Sequence, residues 1–169
     1  MSQSARNFPV IHDEKPYRFE NGIITVSENS QFEFKAQTHF DDILENLVAF
    51  SNVPNGGFLF IGIENATGRI IGANLKSKDL LGDPEKLSNY VREKIHPFPD
   101  YNLKLEKIND KEIFVIMIKE GSSLSKPFFL QNKNDCNVKY RYNGQTANIR
   151  KAEFEEIMTP LLMQVSGFE

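Results

Sequence analysis

The sequence predicts an α+β fold, a single domain with a mixed β-sheet and about three helices, on three observations. Strand-like and helix-like segments are mixed without the regular β-α-β alternation of a doubly wound sheet. The run Phe58-Leu59-Phe60-Ile61-Gly62-Ile63 is apolar on both faces, as a central strand buried on both sides must be. A length of 169 residues, 40% hydrophobic and 25% charged, suits one domain with an ordinary core, and 14 Phe with no Trp make its aromatic part phenylalanine.

Residues 1–22 are polar, carry Pro9 and Pro16, and read as an N-terminal arm leading into a domain over 23–160. Over 31–36, Phe32 and Phe34 alternate with Glu33 and Lys35, the period-two signature of a strand. Phe40, Ile43, Leu44, Leu47, Val48 and Ser51 then follow the i, i+3, i+4 rhythm of an amphipathic helix. Thr38 is placed to cap it, and Asp41 and Asp42 suit its positive end. Pro54-Asn55-Gly56-Gly57 stops that helix and turns the chain, either as a tight turn needing positive φ or as a close approach to phosphate. Beyond Glu64 the chain returns through Arg69-Ile70-Ile71-Gly72, which predicts a hairpin with the central strand. A second helix is expected over 84–95, with Asp83 as cap, Pro84 at its first position, and Leu87, Tyr90, Val91 and Ile95 as its buried stripe. Strands follow at 103–108 and 113–118, joined at Asn109-Asp110-Lys111, and at 128–130 and 138–142. A last helix runs over 151–158 and resumes after Pro160. Residues 161–169 form an apolar tail whose Leu161-Leu162-Met163 either docks on the domain or covers a partner.

Twenty Lys and Arg against 23 Asp and Glu leave a net charge of −3. That balance argues against a surface coated in phosphate contacts, so a nucleic-acid site here is a local basic surface on a mildly acidic body. The single Cys136 allows no internal disulfide, and His12, His39 and His96 show no zinc spacing. A Gly-x-x-x-x-Gly-Lys loop, a helix-turn-helix signature and a zinc finger are all missing from the sequence. Residues 1–12 have no apolar run of the signal-peptide kind, and no stretch approaches the ~20 apolar residues of a membrane span. The chain therefore reads as intracellular and cytoplasmic, with a nuclear site left open.

Three segments carry a resemblance. The first is Glu28-Asn29-Ser30-Gln31-Phe32-Glu33-Phe34-Lys35, a Glu followed after four residues by Glu-Phe-Lys. The second is Ala49-Phe50-Ser51-Asn52 with Gly56-Gly57 and the apolar strand behind it, and the third is Tyr140-Arg141-Tyr142-Asn143-Gly144-Gln145-Thr146. In order and spacing they resemble the Schlafen family's AlbA-type (AlbA-2) domain over roughly residues 23–160. The resemblance implies a mixed α/β domain that binds nucleic acid, and some members of the family act as endoribonucleases on transfer RNA and other structured RNAs, so RNA is the expected partner ahead of DNA. It further implies a metal-dependent endoribonuclease site of three acids. Glu28 and Glu33 match the first two, and Asn65 stands where the family has the third, an Asp, with Glu64 beside it.

Cleavage of a phosphodiester with Mg²⁺ or Mn²⁺ needs several oxygen ligands and open positions for water and phosphate. Glu28 and Glu33, five residues apart in a straight strand, would lie on opposite faces with Cα atoms ~16 Å apart. They converge only if the chain bends at 27–30, where Asn29 and Ser30 are turn-prone. Glu64, at a strand end, reaches further than an Asp, and Asn65 offers a neutral amide oxygen. The candidate catalytic set is therefore Glu28, Glu33, Lys35 and Glu64, and the candidate metal ligands are Glu28, Glu33, Glu64 and Asn65. On pattern alone, Glu33 and Lys35 are equally a solvated pair on a strand face. Lys139 and Arg141 alternate with Tyr140 and Tyr142, and Arg69, Arg150 and Lys151 could complete a cationic rim for a phosphate backbone. The same basic residues equally suit a solvated edge strand. A non-catalytic module, or a subunit that pairs as a homo- or heterodimer with a similar domain, stands beside the nuclease reading.

Overall fold

The computed structural model describes residues 10–11, 16–27 and 31–166. In chain order the elements are strands β1 (Val10–Ile11), β2 (Tyr17–Glu20), β3 (Ile23–Ser27) and β4 (Phe32–Lys35), helix α1 (Phe40–Asn52), strand β5 (Gly57–Ile61), and helices α2 (Leu75–Leu81) and α3 (Pro84–Lys94). They continue with β6 (Ile95–His96), β7 (Tyr101–Ile108), β8 (Lys111–Ile118), β9 (Phe129–Gln131), β10 (Cys136–Asn137), β11 (Lys139–Tyr142), β12 (Gln145–Asn148) and helix α4 (Lys151–Ser166). This is an α+β domain with four helices.

The doubly apolar run becomes β5, at the centre of a four-stranded sheet of order β4-β5-β8-β7. β4 pairs with β5 in parallel, a geometry that requires a crossover, and α1 is that crossover. β8 runs antiparallel to both β5 and β7. Side chains alternate across the sheet. Leu59, Ile61, Phe114 and Ile116 join Leu47 and Val48 of α1 and Leu87 and Val91 of α3 in one apolar cluster. Phe34, Phe60, Ile113 and Val115 form a second cluster with Ile24 and Val26 of β3. Glu33 and Lys35, alternating with Phe32 and Phe34, thereby fall on the α1 side.

Several expectations change in detail. Residues 17–20, expected as irregular arm, form a strand that pairs antiparallel with β3 and packs Tyr17 and Phe19 on the second cluster. The hairpin after Glu64 shrinks to one bridge, Ile63 with Ile70, while the returning segment also bridges to β3 through Arg69 and Ile23. His39, not Thr38, occupies the position before α1, while the Thr38 backbone N–H donates to Ser77 Oγ at 3.3 Å. The seven-residue α2 lacked a long periodic signal; Asn74 caps it by accepting the Ser77 N–H at 2.8 Å. Asp83 caps α3 as expected, accepting from Glu85 N at 3.1 Å, with Pro84 at its start. α4 runs unbroken through Pro160 to Ser166.

The glycine pair is a steric necessity. Gly56 has φ +60°, and a Cβ on it would lie 2.0 Å from the Ile118 carbonyl oxygen. A Cβ on Gly57 would lie 2.3 Å from the Phe50 ring. Next to them, Asn52 ties the end of α1 to the residue preceding β9 and to the start of β11. Its Nδ2 donates to the carbonyls of Phe128 and Lys139, both at 2.9 Å, and its Oδ1 accepts the Phe128 N–H at 2.8 Å.

Two predictions follow from these contacts. Asn52→Ala, which strands buried backbone groups, should lower stability by about 2–4 kcal/mol in urea denaturation; a loss under ~1 kcal/mol would contradict the latch. The Glu120 carboxylate, bonded to Lys126 Nζ at 2.6 Å and to the Asn55 N–H at 3.0 Å, is held below the usual glutamate range chiefly by Lys126. A depressed folded pKa stabilises above the unfolded value and loses that contribution as the pH falls through about 4.3 and below. Glu120→Gln should therefore be less stable than wild type at pH 7, with the gap narrowing towards pH 3 in thermal melts.

Candidate functional site

Glu33 is only 7% exposed, so the solvated-pair reading does not hold for it. A carboxylate cut off from water is costly unless it is paired and hydrogen-bonded. The partner comes from β11, more than a hundred residues away. Arg141, also 7% exposed, donates from Nη1 to Glu33 Oε2 at 3.1 Å and to Thr146 Oγ1 at 2.9 Å. Its Nη2 donates to the Phe32 carbonyl at 3.2 Å, and the guanidinium lies over the Phe50 ring at 4.6 Å. Lys35 Nζ approaches Glu33 Oε1 at 3.8 Å. The Thr146 hydroxyl donates to Asn46 Oδ1 at 2.9 Å, and Asn46 Nδ2 donates to the Asp42 carbonyl at 2.7 Å. One polar chain thus runs from β4 through the β11–β12 hairpin to α1.

Above this chain opens a cleft of about 310 Å³. β4 contributes Glu33 and Lys35, and α1 contributes Asp42, Glu45 and Asn46. Asn65 closes one side, and the hairpin supplies Arg141, Gly144, Gln145 and Thr146. Sequence reasoning missed Asp42, Glu45 and Asn46 as site residues, although their i, i+3, i+4 spacing puts them on one helical face. Gln145 and Thr146 stood inside the third motif but drew no role.

The structure brings Glu33, Lys35, Asn65 and Arg141 together in the cleft, and the other described candidates lie outside its lining. Glu28 lies outside the described residues. Glu64 turns away from its neighbour Asn65 into a separate hollow with Arg69 and Lys111, hydrogen-bonded to Thr67 and 3.4 Å from Arg69 Nη2. Lys139 Nζ lies 3.4 Å from Glu45 Oε1. Arg150 stacks on the Tyr142 ring at 4.4 Å, and Lys151, its side chain 90% exposed, lies 3.7 Å from Glu155 on α4. These basic residues do not form one continuous rim: the alternation of β11 sends Lys139 and Arg141 towards the acids of α1 and β4. Burial first, with nearby Glu156 for Tyr140, raises the phenols of Tyr140 and Tyr142 above the ordinary tyrosine value, so both stay protonated at neutral pH.

Among the described residues no group of three or more His, Cys, Asp or Glu side chains gathers to hold a metal ion. Glu33 faces Arg141 and Lys35, and Glu45 faces Lys139. The described donors therefore do not fit an Mg²⁺ or Mn²⁺ centre, which takes about six oxygens with carboxylates among them. No helix of the described residues is long and apolar enough to cross a membrane.

Residues 28–150 match the family described as Schlafen, AlbA_2, a span that holds β4, α1, β5 and the β11–β12 hairpin. The chain is 29% identical over 170 residues to the uncharacterized ATP-binding protein UU034 of Ureaplasma parvum serovar 3 (strain ATCC 700970), a match covering 87% of this chain and 46% of that one. The chain thus spans about half the length of this curated relative. The crystal structure of the DIP2311 protein from Corynebacterium diphtheriae aligns with a TM-score of 0.59 at 19% identity, over 83% of this chain and 26% of that one, and shows a shared fold.

The buried pair yields a thermodynamic prediction. Arg141→Ala, which leaves Glu33 without its guanidinium, should cost about 3–5 kcal/mol in chemical denaturation, whereas Glu33→Ala with Arg141→Ala should cost clearly less than the two single losses combined. Strict additivity would mean that the two side chains do not support each other.

Proposed function

The chain belongs to the Schlafen, AlbA_2 family, and on that premise we propose that it is a nucleic-acid-binding module that holds RNA in the cleft beside β4. The observation that carries the reading is the composition of that cleft. Its wall contains Glu33 and the accessible Lys35 ammonium of the Glu-Phe-Lys segment together with three side-chain amides and the Thr146 hydroxyl, groups suited to a sugar–phosphate backbone. Glu33 acts as a structural acid that fixes Arg141 and orients Lys35, and Lys35 meets phosphate. Because the chain spans about half of its curated relative, we propose that it works beside further domains or a second similar domain, which would supply any chemistry.

Fluorescence anisotropy with a labelled RNA hairpin bearing a single-stranded overhang tests this reading. Lys35→Glu should weaken binding about tenfold or more by replacing attraction with repulsion, and the affinity should fall with salt. Wild-type protein that binds no RNA, or a variant that binds equally well, would reject it.

A metal-dependent endoribonuclease is the second reading, favoured by Asp42 and Asn65 lining the same cleft as Glu33. The described donors alone do not make a metal centre, so this reading needs acids beyond them. Cleavage of the same RNA with Mg²⁺ or Mn²⁺ that disappears in Glu28→Gln would establish it over the binding module; intact RNA under those conditions would leave the module.

A further inference from the structure

We infer that Asp42 makes this cleft a reader of the ribose 2′-hydroxyl, so that the site selects RNA over DNA through the sugar and not through the base; the inference rests on the nucleic-acid-binding reading above. Most polar groups of the cleft are already engaged with one another. Glu33, Arg141, Thr146 and Asn46 form the linked floor, and Glu45 meets Lys139. What the cleft still offers is different. The half-buried Asp42 carboxylate lines it, and among the described residues that carboxylate meets no hydrogen-bond donor or cation. The exposed side-chain amides of Asn65 and Gln145 line it too, equally without partners among those residues.

Among the described residues the lining includes no aromatic and no aliphatic side chain. A nucleobase entering the cleft would find no ring to stack on, and stacking is the usual way that unpaired bases are held. With a volume of about 310 Å³ the cleft takes the sugar and phosphate of a nucleotide but not a duplex. Lys35 provides the cation for phosphate. An ionised carboxylate, by contrast, only accepts hydrogen bonds and repels phosphate oxygens, so Asp42 is favourable only opposite a donor. On a sugar–phosphate backbone within a strand that donor is the 2′-hydroxyl, present in RNA and missing from DNA. The amides of Asn65 and Gln145 both donate and accept, and so support either sugar without choosing between them.

Asp42 also lies in the first turn of α1, where an acid suits the positive end of the helix. That role alone would change thermal stability and leave ligand preference untouched, so the two are separable. The experiment measures binding of the full chain to three labelled single strands of one sequence: RNA, 2′-O-methyl RNA and DNA. Wild type should hold RNA about tenfold more tightly than either other strand, the effect of one charge-assisted hydrogen bond. Asp42→Ala should bring RNA down to the level of DNA while DNA binding stays the same or improves. Asp42→Asn, which keeps an acceptor oxygen, should retain part of the preference, and melting curves check that both variants fold. Equal wild-type affinity for the three strands would overturn the inference and leave the binding module standing, as would an Asp42→Ala variant that loses all three in parallel. Failure of wild type to bind any strand would overturn both.

Discussion

A carboxylate at the position of Glu33 cannot be left alone, and the Arg141 guanidinium is what allows it to stay there. Desolvating either charge without the other costs several kcal/mol, so β11 has to lie where Arg141 reaches β4. Within the hairpin Arg141 stands directly opposite Thr146, which passes the contact on to Asn46 of α1. The Phe50 ring beneath the guanidinium belongs to the same helix. One ion pair therefore sets three elements in register, and the cleft is the space they enclose. Asn52, at the end of α1, does the same work for Phe128, just before β9, and for Lys139 of β11 with neutral hydrogen bonds.

The same arrangement shapes what the cleft can do. A carboxylate held by an arginine and a lysine has little capacity left for a cation, whereas the lysine beside it keeps a partly exposed ammonium, 34% by side-chain area. The acidic residues of α1 keep the cleft from becoming a general phosphate trap, in keeping with a chain whose net charge is −3. On the proposed reading, binding there would depend on hydrogen-bond complementarity more than on bulk charge.

The sheet was legible because its signals are local. Phe32 and Phe34 alternate with Glu33 and Lys35, the run at 58–63 is apolar throughout, and Asp83-Pro84 marks the start of α3. The glycine pair was legible as a turn, although only the packing shows that Phe50 and the Ile118 carbonyl leave no room for a side chain. Strand β2 escaped notice because its two apolar residues, Tyr17 and Phe19, sit among prolines and charges. The site was half legible. The three motifs contain Glu33, Lys35, Arg141 and Thr146, yet a linear reading treats Arg141 as surface, since an arginine on a strand looks the same whether its partner is water or an acid a hundred residues away. Likewise, nothing local distinguishes Glu64 from Asn65, and only the turn after β5 sends one to each side. The polar face of α1 was visible as Asp42, Glu45 and Asn46, but Asp42 suited the positive end of the helix and nothing local marks the other two as lining a cleft.

The most direct measurement is an amide chemical-shift map of the isotope-labelled chain titrated with a short RNA strand. Saturable shifts gathered on Lys35, Asn46, Asn65, Gln145 and Thr146, with the far face of the sheet around Lys104 and Glu106 unmoved, are the expected result. Shifts confined to other surfaces, or no shifts at RNA concentrations well above micromolar, would contradict a ligand-binding cleft built on the Glu33–Arg141 pair.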